Sequence, residues 1–204
     1  TDSKGTFYIL NKKDRTPILF IHGVGLDHSI WDPQINEFDN TVLIYDILGH
    51  GKTPLNKNDL SFDDFSDQII NLIDELKFNK VHLVGFSIGS LIARNFATRF
   101  NDRLASLTLL CSIFNRSDKE QKIVNDRFEQ TKKDHKLTKD ALKRWFTEDF
   151  LNKNPDISDK IFTILQNNNM NNFIKIYSLF VKHKDNEKFE NINTKTLVIT
   201  GEGD

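Results

Sequence analysis

A serine at position 87 lies in a short motif that is typical of a catalytic nucleophile. The residues Gly85-Phe86-Ser87-Ile88-Gly89 form the pattern G-x-S-x-G, directly after an apolar run and directly before a segment with one apolar helical face. In this context the serine is predicted to lie on a sharp strand-to-helix turn that raises its hydroxyl above the sheet edge. Glycines on either side remove the Cβ atoms that would collide there. The motif therefore indicates nucleophilic attack on an acyl carbonyl.

The same turn is predicted to donate hydrogen bonds to the negative charge that develops on the carbonyl oxygen. The Ile88 N–H belongs to the first turn of the predicted helix, whose dipole favours negative charge. The loop His22-Gly23-Val24-Gly25 follows another apolar run, and its Val24 N–H is the predicted second donor. His22 itself is predicted to be structural. A glycine-flanked turn with an incidental serine is the alternative interpretation of the motif.

An acidic turn follows the last apolar run. Leu197-Val198-Ile199-Thr200 predicts a strand, and Gly201-Glu202-Gly203-Asp204 predicts a turn from which a carboxylate can orient a histidine. Asp204 is the predicted acid, and Glu202 is the less favoured alternative. A purely turn-forming aspartate is the competing interpretation, since Asp is common in glycine turns.

Alternating strands and helices are predicted to position these residues. Buried apolar runs predict strands, and apolar stripes at helical spacing predict helices between them. The strands are predicted at 7–10, 17–22, 41–47, 80–86, 104–112 and 194–200. One helix is predicted at 30–38, a second begins at a capping box formed by Ser61 and Asp64, and a third follows Ser87. From about residue 115 to 191 only helical stripes occur. The pattern predicts an α/β core at 1–113, a helical insertion at 114–191 and a return to the core at 192–204.

Composition narrows the class of partner. Lys and Arg number 28 and Asp and Glu 29, so no net field attracts nucleic acid, an anionic membrane or an acidic partner. A small neutral or singly charged substrate fits better. The one cysteine, Cys111, lies in an apolar run and is predicted to be a buried core thiol. Neither a membrane span of roughly 18 apolar residues nor a signal-peptide pattern is seen. A cytoplasmic protein is the expectation.

These motifs resemble the α/β-hydrolase superfamily over essentially the whole chain. HGVG, YDILGHGKT, GFSIG and LVITGEGD occur in that family's order, and HGVGLDHSIWDPQ with KRWFTEDFL resembles the 3-oxoadipate enol-lactonase family. The resemblance implies a mostly parallel sheet flanked by helices, a helical cap over the pocket, a Ser, Asp, His triad, and no metal or organic cofactor. Ser87 and Asp204 match the triad, and the Val24 and Ile88 amides match the oxyanion hole.

Two residues of the predicted cap are candidates for substrate binding. The planar guanidinium of Arg144 can pair with a substrate carboxylate, and Trp145 can cover the apolar part. The alternatives are a solvated Arg144 and a Trp145 that belongs to the core of the cap.

The histidine of the family's triad is expected beyond residue 204, after the next strand, together with the family's last strand and helix. The six histidines all precede Asp204: His22, His28, His50, His82, His135 and His183. His135 or His183 is the alternative base. The expected reaction is hydrolysis of a carboxylic ester or lactone through an acyl-enzyme, with 3-oxoadipate enol-lactone as a candidate substrate. The 204-residue chain itself is expected to be nearly inactive. A non-catalytic ligand-binding protein and a carbon–carbon bond hydrolase are the alternatives.

Overall fold

A single six-stranded sheet is the centre of the computed structural model, which describes residues 1–185 and 189–202. The strands are β1 (Tyr8–Asn11), β2 (Arg15–Ile21), β3 (Asn40–Tyr45), β4 (Val81–Phe86), β5 (Leu104–Leu110) and β6 (Thr196–Ile199). Their order is β1-β3-β2-β4-β5-β6, with β1 antiparallel to β3 and all other pairs parallel. The predicted α/β architecture with a mostly parallel sheet is confirmed.

The helices alternate with the strands and then form a separate run. They are α1 (Phe62–Glu75), α2 (Ile88–Arg99), α3 (Asp118–Asp134), α4 (Leu142–Trp145), α5 (Glu148–Lys153), α6 (Pro155–Gln166) and α7 (Met170–Lys182). Short 3-10 helices lie at His28–Gln34, Asn101–Arg103, Lys139–Ala141 and Phe189–Asn191. The predicted capping box begins α1, because Ser61 and Asp64 bond reciprocally to each other's backbone. In the part of the chain that the structure describes, no helix has the length and apolarity to cross a membrane.

The main core lies between the sheet and the two helices that follow β3 and β4. Leu43 and Leu83 from the strands pack in one cluster with Ile69 of α1 and Ile92 of α2, and all four side chains are fully buried. Burial of each such side chain contributes about 1.5–3 kcal/mol to folding. This core holds the carboxyl ends of the parallel strands at one edge of the sheet.

In the described residues between β5 and β6, all regular structure is helical. Helix α3 packs on α7, and α5 packs on α6. A small apolar cluster of Ala141, Leu142 and Leu165 joins this helical segment. Its two ends meet at Arg94 of α2, which donates hydrogen bonds to the Ile113 carbonyl and to the Asp185 carboxylate.

Two local predictions are wrong. The segment predicted as a helix at 30–38 is a 3-10 helix at His28–Gln34, because Asp27 caps it early and Pro33 has no N–H for an α-helical bond. The strand predicted to reach residue 112 ends at Leu110, because Cys111 adopts a positive φ of 48° that breaks the extended backbone. Cys111 is consequently half-buried, not a core thiol.

Candidate active site

Ser87 lies alone between β4 and α2, in a backbone conformation that few side chains adopt. Its φ is +55° and its ψ is −119°, so the residue is strained. The strain is maintained by hydrogen bonds on both sides: the Ser87 N–H donates to the Leu110 carbonyl at 3.0 Å, and the Ser87 carbonyl accepts from the Ser90 N–H at 2.9 Å. The turn therefore has the sharp geometry expected of a nucleophile that is raised from the sheet edge.

The two glycines of the motif are required by close backbone contacts. A Cβ atom on Gly85 would lie 2.2 Å from the Gly89 carbonyl oxygen, and a Cβ atom on Gly89 would lie 2.7 Å from the carbonyl oxygens of Ile21 and His22. No rotation of a flexible side chain can relieve these contacts, because the neighbouring atoms are backbone. The glycines therefore allow α2 to begin directly against β2, with Ser87 at the turn.

The turn opens into a cavity of about 160 Å³. Ser87 is half-buried at its wall. The lining is mostly apolar: Gly23, Val24, Leu26, Phe86, Ser87, Arg127, Thr131, Leu137, Ala141, Arg144, Trp145, Leu165, Phe173, Tyr177 and Phe180. An engineered cavity of roughly 150 Å³ holds a benzene molecule, so this space accommodates a small organic substrate.

The loop after β2 forms one side of this cavity. Val24 is half-buried in the lining, and the loop is closed by a hydrogen bond from the Leu26 N–H to the Gly23 carbonyl. Gly25 has a φ of +78°, which favours glycine, and its N–H donates to His50 Nε2 at 2.9 Å. The Ile88 N–H faces no intrahelical acceptor, since it belongs to the first turn of α2. Val24 and Ile88 thus lie on two segments that border the Ser87 turn.

His22 has the structural hydrogen bonds predicted for it, and His50 is likewise bonded to backbone groups. His22 Nε2 accepts from the Ile47 N–H at 3.1 Å, so Nδ1 carries the proton and donates to the Gly23 carbonyl at 2.8 Å. Burial lowers the pKa of His22, and burial together with the charge of His22 lowers the pKa of His50 to about 3. Both rings are therefore neutral near pH 7 and hold the loop that carries Val24.

The remaining histidines lie away from the Ser87 cavity. His82 bonds to Ser106, and His135 ends α3 in a left-handed conformation. His183 Nε2 lies 3.4 Å from Asp185 Oδ1, next to the ring of Phe62. None of the cavity-lining residues in the described part of the chain is a histidine. His135 and His183 are therefore not brought to Ser87.

The predicted acid can be traced only to the start of its turn. Phe86, Leu110 and Ile199 end three adjacent parallel strands in register, so the turn after β6 begins about 10 Å from the Ser87 turn, two strand spacings along the same sheet edge. Glu202 is exposed in this turn. Asp204 lies outside the described residues.

Both predicted substrate contacts lie in the cavity lining, together with an arginine that sequence reasoning missed. Arg144 and Trp145 end the short helix α4, and Trp145 is 43% exposed, so it does not belong to the small core beside it. Arg127 reaches the same cavity from α3. In the sequence, the one indication for Arg127 is that it lies four residues before Thr131 on a predicted helix. In the structure, Thr131 also lines the cavity.

A cluster of possible metal ligands lies elsewhere in the structure. Ligand atoms of Asp27, His28 and Asp46 lie within 4.8 Å of one another. Burial alone would lower the pKa of His28, but its hydrogen bond to the Asp46 carboxylate at 2.8 Å raises it. Asp46 also accepts from the backbone N–H groups of His28 and Lys52. These hydrogen bonds stabilise the buried carboxylate of Asp46, which therefore has a structural role.

The sheet order, the strained serine turn and the flanking loop define an α/β hydrolase. The family model of the alpha/beta hydrolase fold matches residues 16–204, and the chain belongs to this family.

Two curated relatives and one solved structure are similar to this chain over most of its length. The chain is 29% identical to an (E)-2-((N-methylformamido)methylene)succinate hydrolase of Acinetobacter baylyi, over 98% of this chain and 76% of the relative. It is 26% identical to 3-oxoadipate enol-lactonase 1 of the same organism, over 96% of this chain and 74% of the relative. Among solved structures, the enol-lactonase from Burkholderia xenovorans LB400 superposes with a TM-score of 0.85 at 23% identity, over 97% of this chain and 78% of that one.

Proposed function

We propose that this protein is a serine hydrolase that cleaves a small carboxylic ester or lactone through an acyl-enzyme. The observation that carries the proposal is the strained Ser87 at the wall of a small, largely apolar cavity. Backbone strain of this kind persists only where the surrounding structure enforces it, and it is typical of functional sites. Hydrolase activity is also the common property of the two relatives from Acinetobacter baylyi.

Ser87 Oγ attacks the carbonyl carbon and forms a tetrahedral intermediate. The Val24 and Ile88 N–H groups stabilise its oxyanion, helped by the positive end of the α2 dipole. The alcohol or enol leaves, and water then releases the acid from Ser87. The helices between β5 and β6 act as a cap over the pocket, because α3, α4, α6 and α7 all contribute to the lining.

The chemistry needs a base that removes the Ser87 proton. Histidines of the described residues do not line the cavity, so we place this base C-terminal to Asp204, with the Asp204 carboxylate holding its tautomer and charge. Chain order Ser, acid, His is typical of this fold. The lone cysteine, Cys111, fits a reducing compartment such as the cytoplasm.

The substrate is proposed to be an acyl compound with a carboxylate, such as an enol-lactone. Arg144 supplies the charge partner, and Trp145 covers the apolar part. Two relatives are named for an enol-lactone and for a substituted succinate, which fits a small acidic substrate.

A ligand-binding protein without turnover is the second candidate. It is favoured by one observation: the cavity lining of the described residues contains no histidine, aspartate or glutamate. A carbon–carbon bond hydrolase would use the same serine turn, since the fold does not determine the bond that is cleaved.

Ester turnover distinguishes these functions. A p-nitrophenyl ester is offered to the 204-residue chain, to a chain that carries a histidine after Asp204, and to the Ser87→Ala variant of the longer chain. The longer chain should be active, and the other two should lose up to about a millionfold in turnover. Ser106→Ala, at a serine that bonds to His82 away from the cavity, is the matched control and should keep full activity. Turnover that survives in Ser87→Ala would refute the assignment.

A further inference from the structure

The cavity beside Ser87 carries an unusual charge. Fifteen of the residues that the structure describes line it, and they include two arginines, Arg127 and Arg144, and no acidic residue. The other polar side chains are the hydroxyls of Ser87, Thr131 and Tyr177. A pocket with two positive charges inside a chain of net charge −1 is a local feature that overall composition does not reveal.

Three carboxylates close in sequence to the two arginines have other partners. On α3, Asp126 pairs with Lys122 and Glu129 pairs with Lys132. Near α4, Asp140 pairs with Lys143. These three acids are therefore bound to exposed lysines.

Neither Arg127 nor Arg144 forms an ion pair in the ranges that the structure describes, and the one carboxylate whose charge raises the pKa of Arg144 is Asp140, which pairs with Lys143. Among the described residues, the hydrogen bond of Arg144 is from Nη1 to the main-chain carbonyl of Asp140, at 3.3 Å. By contrast, Arg94, Arg99 and Arg103 each form an ion pair with an aspartate. The two cavity arginines thus retain donors for an external anion.

The two guanidinium groups also act on each other. Burial lowers the pKa of Arg144, and the charge of Arg127 lowers it further. Burial raises the pKa of Tyr177, while the charges of Arg127, Arg144 and Arg116 oppose that increase. Both arginines therefore lie near the Tyr177 ring, and their mutual repulsion would be relieved by a bound anion.

Helical geometry directs these groups to the cavity. Arg127 and Thr131 are four residues apart on α3 and share one face of the helix. Helix α7, which packs on α3, brings Tyr177 to the same face. Planar guanidinium groups bind carboxylates in a bidentate manner, so two of them match two carboxylates better than one.

We propose that Arg127 and Arg144 form a dianion subsite, so that the preferred substrate carries two carboxylates besides the acyl group that Ser87 attacks. Arg144 binds one carboxylate, and Arg127 is the specificity-determining residue for the second. This inference rests on the proposed function and, within its class of acyl compounds that carry a carboxylate, selects those that carry two.

The test measures binding, so that it does not depend on turnover. Calorimetric titrations of the Ser87→Ala variant use three methyl esters of increasing charge: methyl butyrate, monomethyl succinate and the 1-methyl ester of propane-1,2,3-tricarboxylate. Each has one ester carbonyl and zero, one or two free carboxylates. Affinity should rise about tenfold with each added carboxylate. A gain of this size lies between the free energy of an exposed ion pair and that of a hydrogen bond to a charged group.

Substitutions test whether Arg127 causes the gain in affinity that comes from the second carboxylate. Adding Arg127→Gln should abolish the gain from the second carboxylate and leave the affinity for monomethyl succinate unchanged. Lys122→Gln removes the same charge from the same helix outside the cavity, and it should change none of the three affinities. The inference is overturned if the dianion binds no more tightly than the monoanion, or if Lys122→Gln weakens dianion binding as much as Arg127→Gln does. Charge-dependent binding together with a catalytically inert Ser87 would refute the proposed function while leaving the subsite intact.

Discussion

At the scale of single residues, the position of Ser87 depends on two glycines that cannot be replaced. Both approach backbone atoms so closely that a methyl group has no space, and the strained turn can form only when α2 is in contact with β2. The nucleophile's geometry is thus a consequence of packing around it, not of the serine's own preference.

Gly85→Ala should strongly destabilise the protein. The new Cβ would lie 2.2 Å from a carbonyl oxygen in the first turn of α2, so the helix start must move, at a cost of at least about 3 kcal/mol. Gly23→Ala is the control, because its Cβ would lie 3.2 Å from ring atoms of Phe86, a side chain that can shift. Urea unfolding compares the two variants. If both variants lose the same free energy of unfolding, the close backbone contact at Gly85 does not determine the stability of the turn.

His50 should make the protein sensitive to acid. Its pKa is about 3 in the folded state, mainly through burial, whereas its ordinary value is 6.5. Below pH 6.5 the unfolded chain therefore binds a proton that the folded chain excludes, and stability decreases as the pH falls. His50 alone accounts for about 2 kcal/mol of the free energy of unfolding lost between pH 7 and pH 5.

The His50→Gln variant isolates this contribution. Glutamine can still accept the Gly25 N–H through its side-chain oxygen but does not titrate. Urea unfolding at pH 7, 6 and 5 should therefore show a smaller acid-dependent loss in the variant than in the parent chain. An identical pH dependence in both proteins would argue against a neutral, buried His50.

The role of a residue was predictable from the sequence where that role depends on residues next to it in the chain. The Ser87 motif combines a strand, a turn and a helix in consecutive residues, so its geometry follows from neighbours along the chain. Arg127 gave no comparable signal, because an arginine on a polar helix is usually solvated. Only the packing of α3 on α7 places it beside Tyr177.

At the scale of elements, α2 anchors both ends of the helical segment between β5 and β6. The Arg94 guanidinium is 3% exposed and lies 2.6 Å from the Asp185 carboxylate, which is 11% exposed. Asp185 also accepts from the Asn115 N–H, so the start and the end of the segment meet at one buried charge pair. This link therefore joins the two ends of the segment whose helices line the cavity.

Arg94→Met should cost about 3–5 kcal/mol, because it leaves the Asp185 carboxylate buried without its cation. Arg99→Met, on the same helix, breaks a pair that is partly exposed on the surface and should cost less than about 1 kcal/mol. Chemical denaturation measures both. Combining Arg94→Met with Asp185→Asn should destabilise less than the sum of the single changes, and strict additivity would contradict a direct pair.

Element types were predictable where patterns are long. The apolar runs of β2 and β4 are predicted within two residues of their observed ends, since strands buried on both faces need continuous apolar sequence. The segment His28–Gln34 was assigned the wrong type, because a single proline changes the hydrogen-bond pattern without changing the apolar spacing.

At the scale of the whole molecule, the parallel sheet gathers distant segments at one edge. The loop after β2, the turn after β4 and the turn after β6 all follow carboxyl ends of neighbouring strands. Sequence reasoning could predict this convergence, because such ends meet whenever strands are parallel. It could not predict the charge of the cavity, which depends on how the helical segment folds back over the sheet.

The central claim, that Ser87 carries the acyl group during turnover, is tested by trapping that intermediate. A chain that includes a histidine after Asp204 is mixed with p-nitrophenyl acetate, quenched with acid during the first turnover, and mapped by peptide mass spectrometry. We expect one acetyl group on the peptide that contains Ser87, and none in the Ser87→Ala variant. Turnover without an adduct on Ser87, or an adduct on a different residue, would contradict the account.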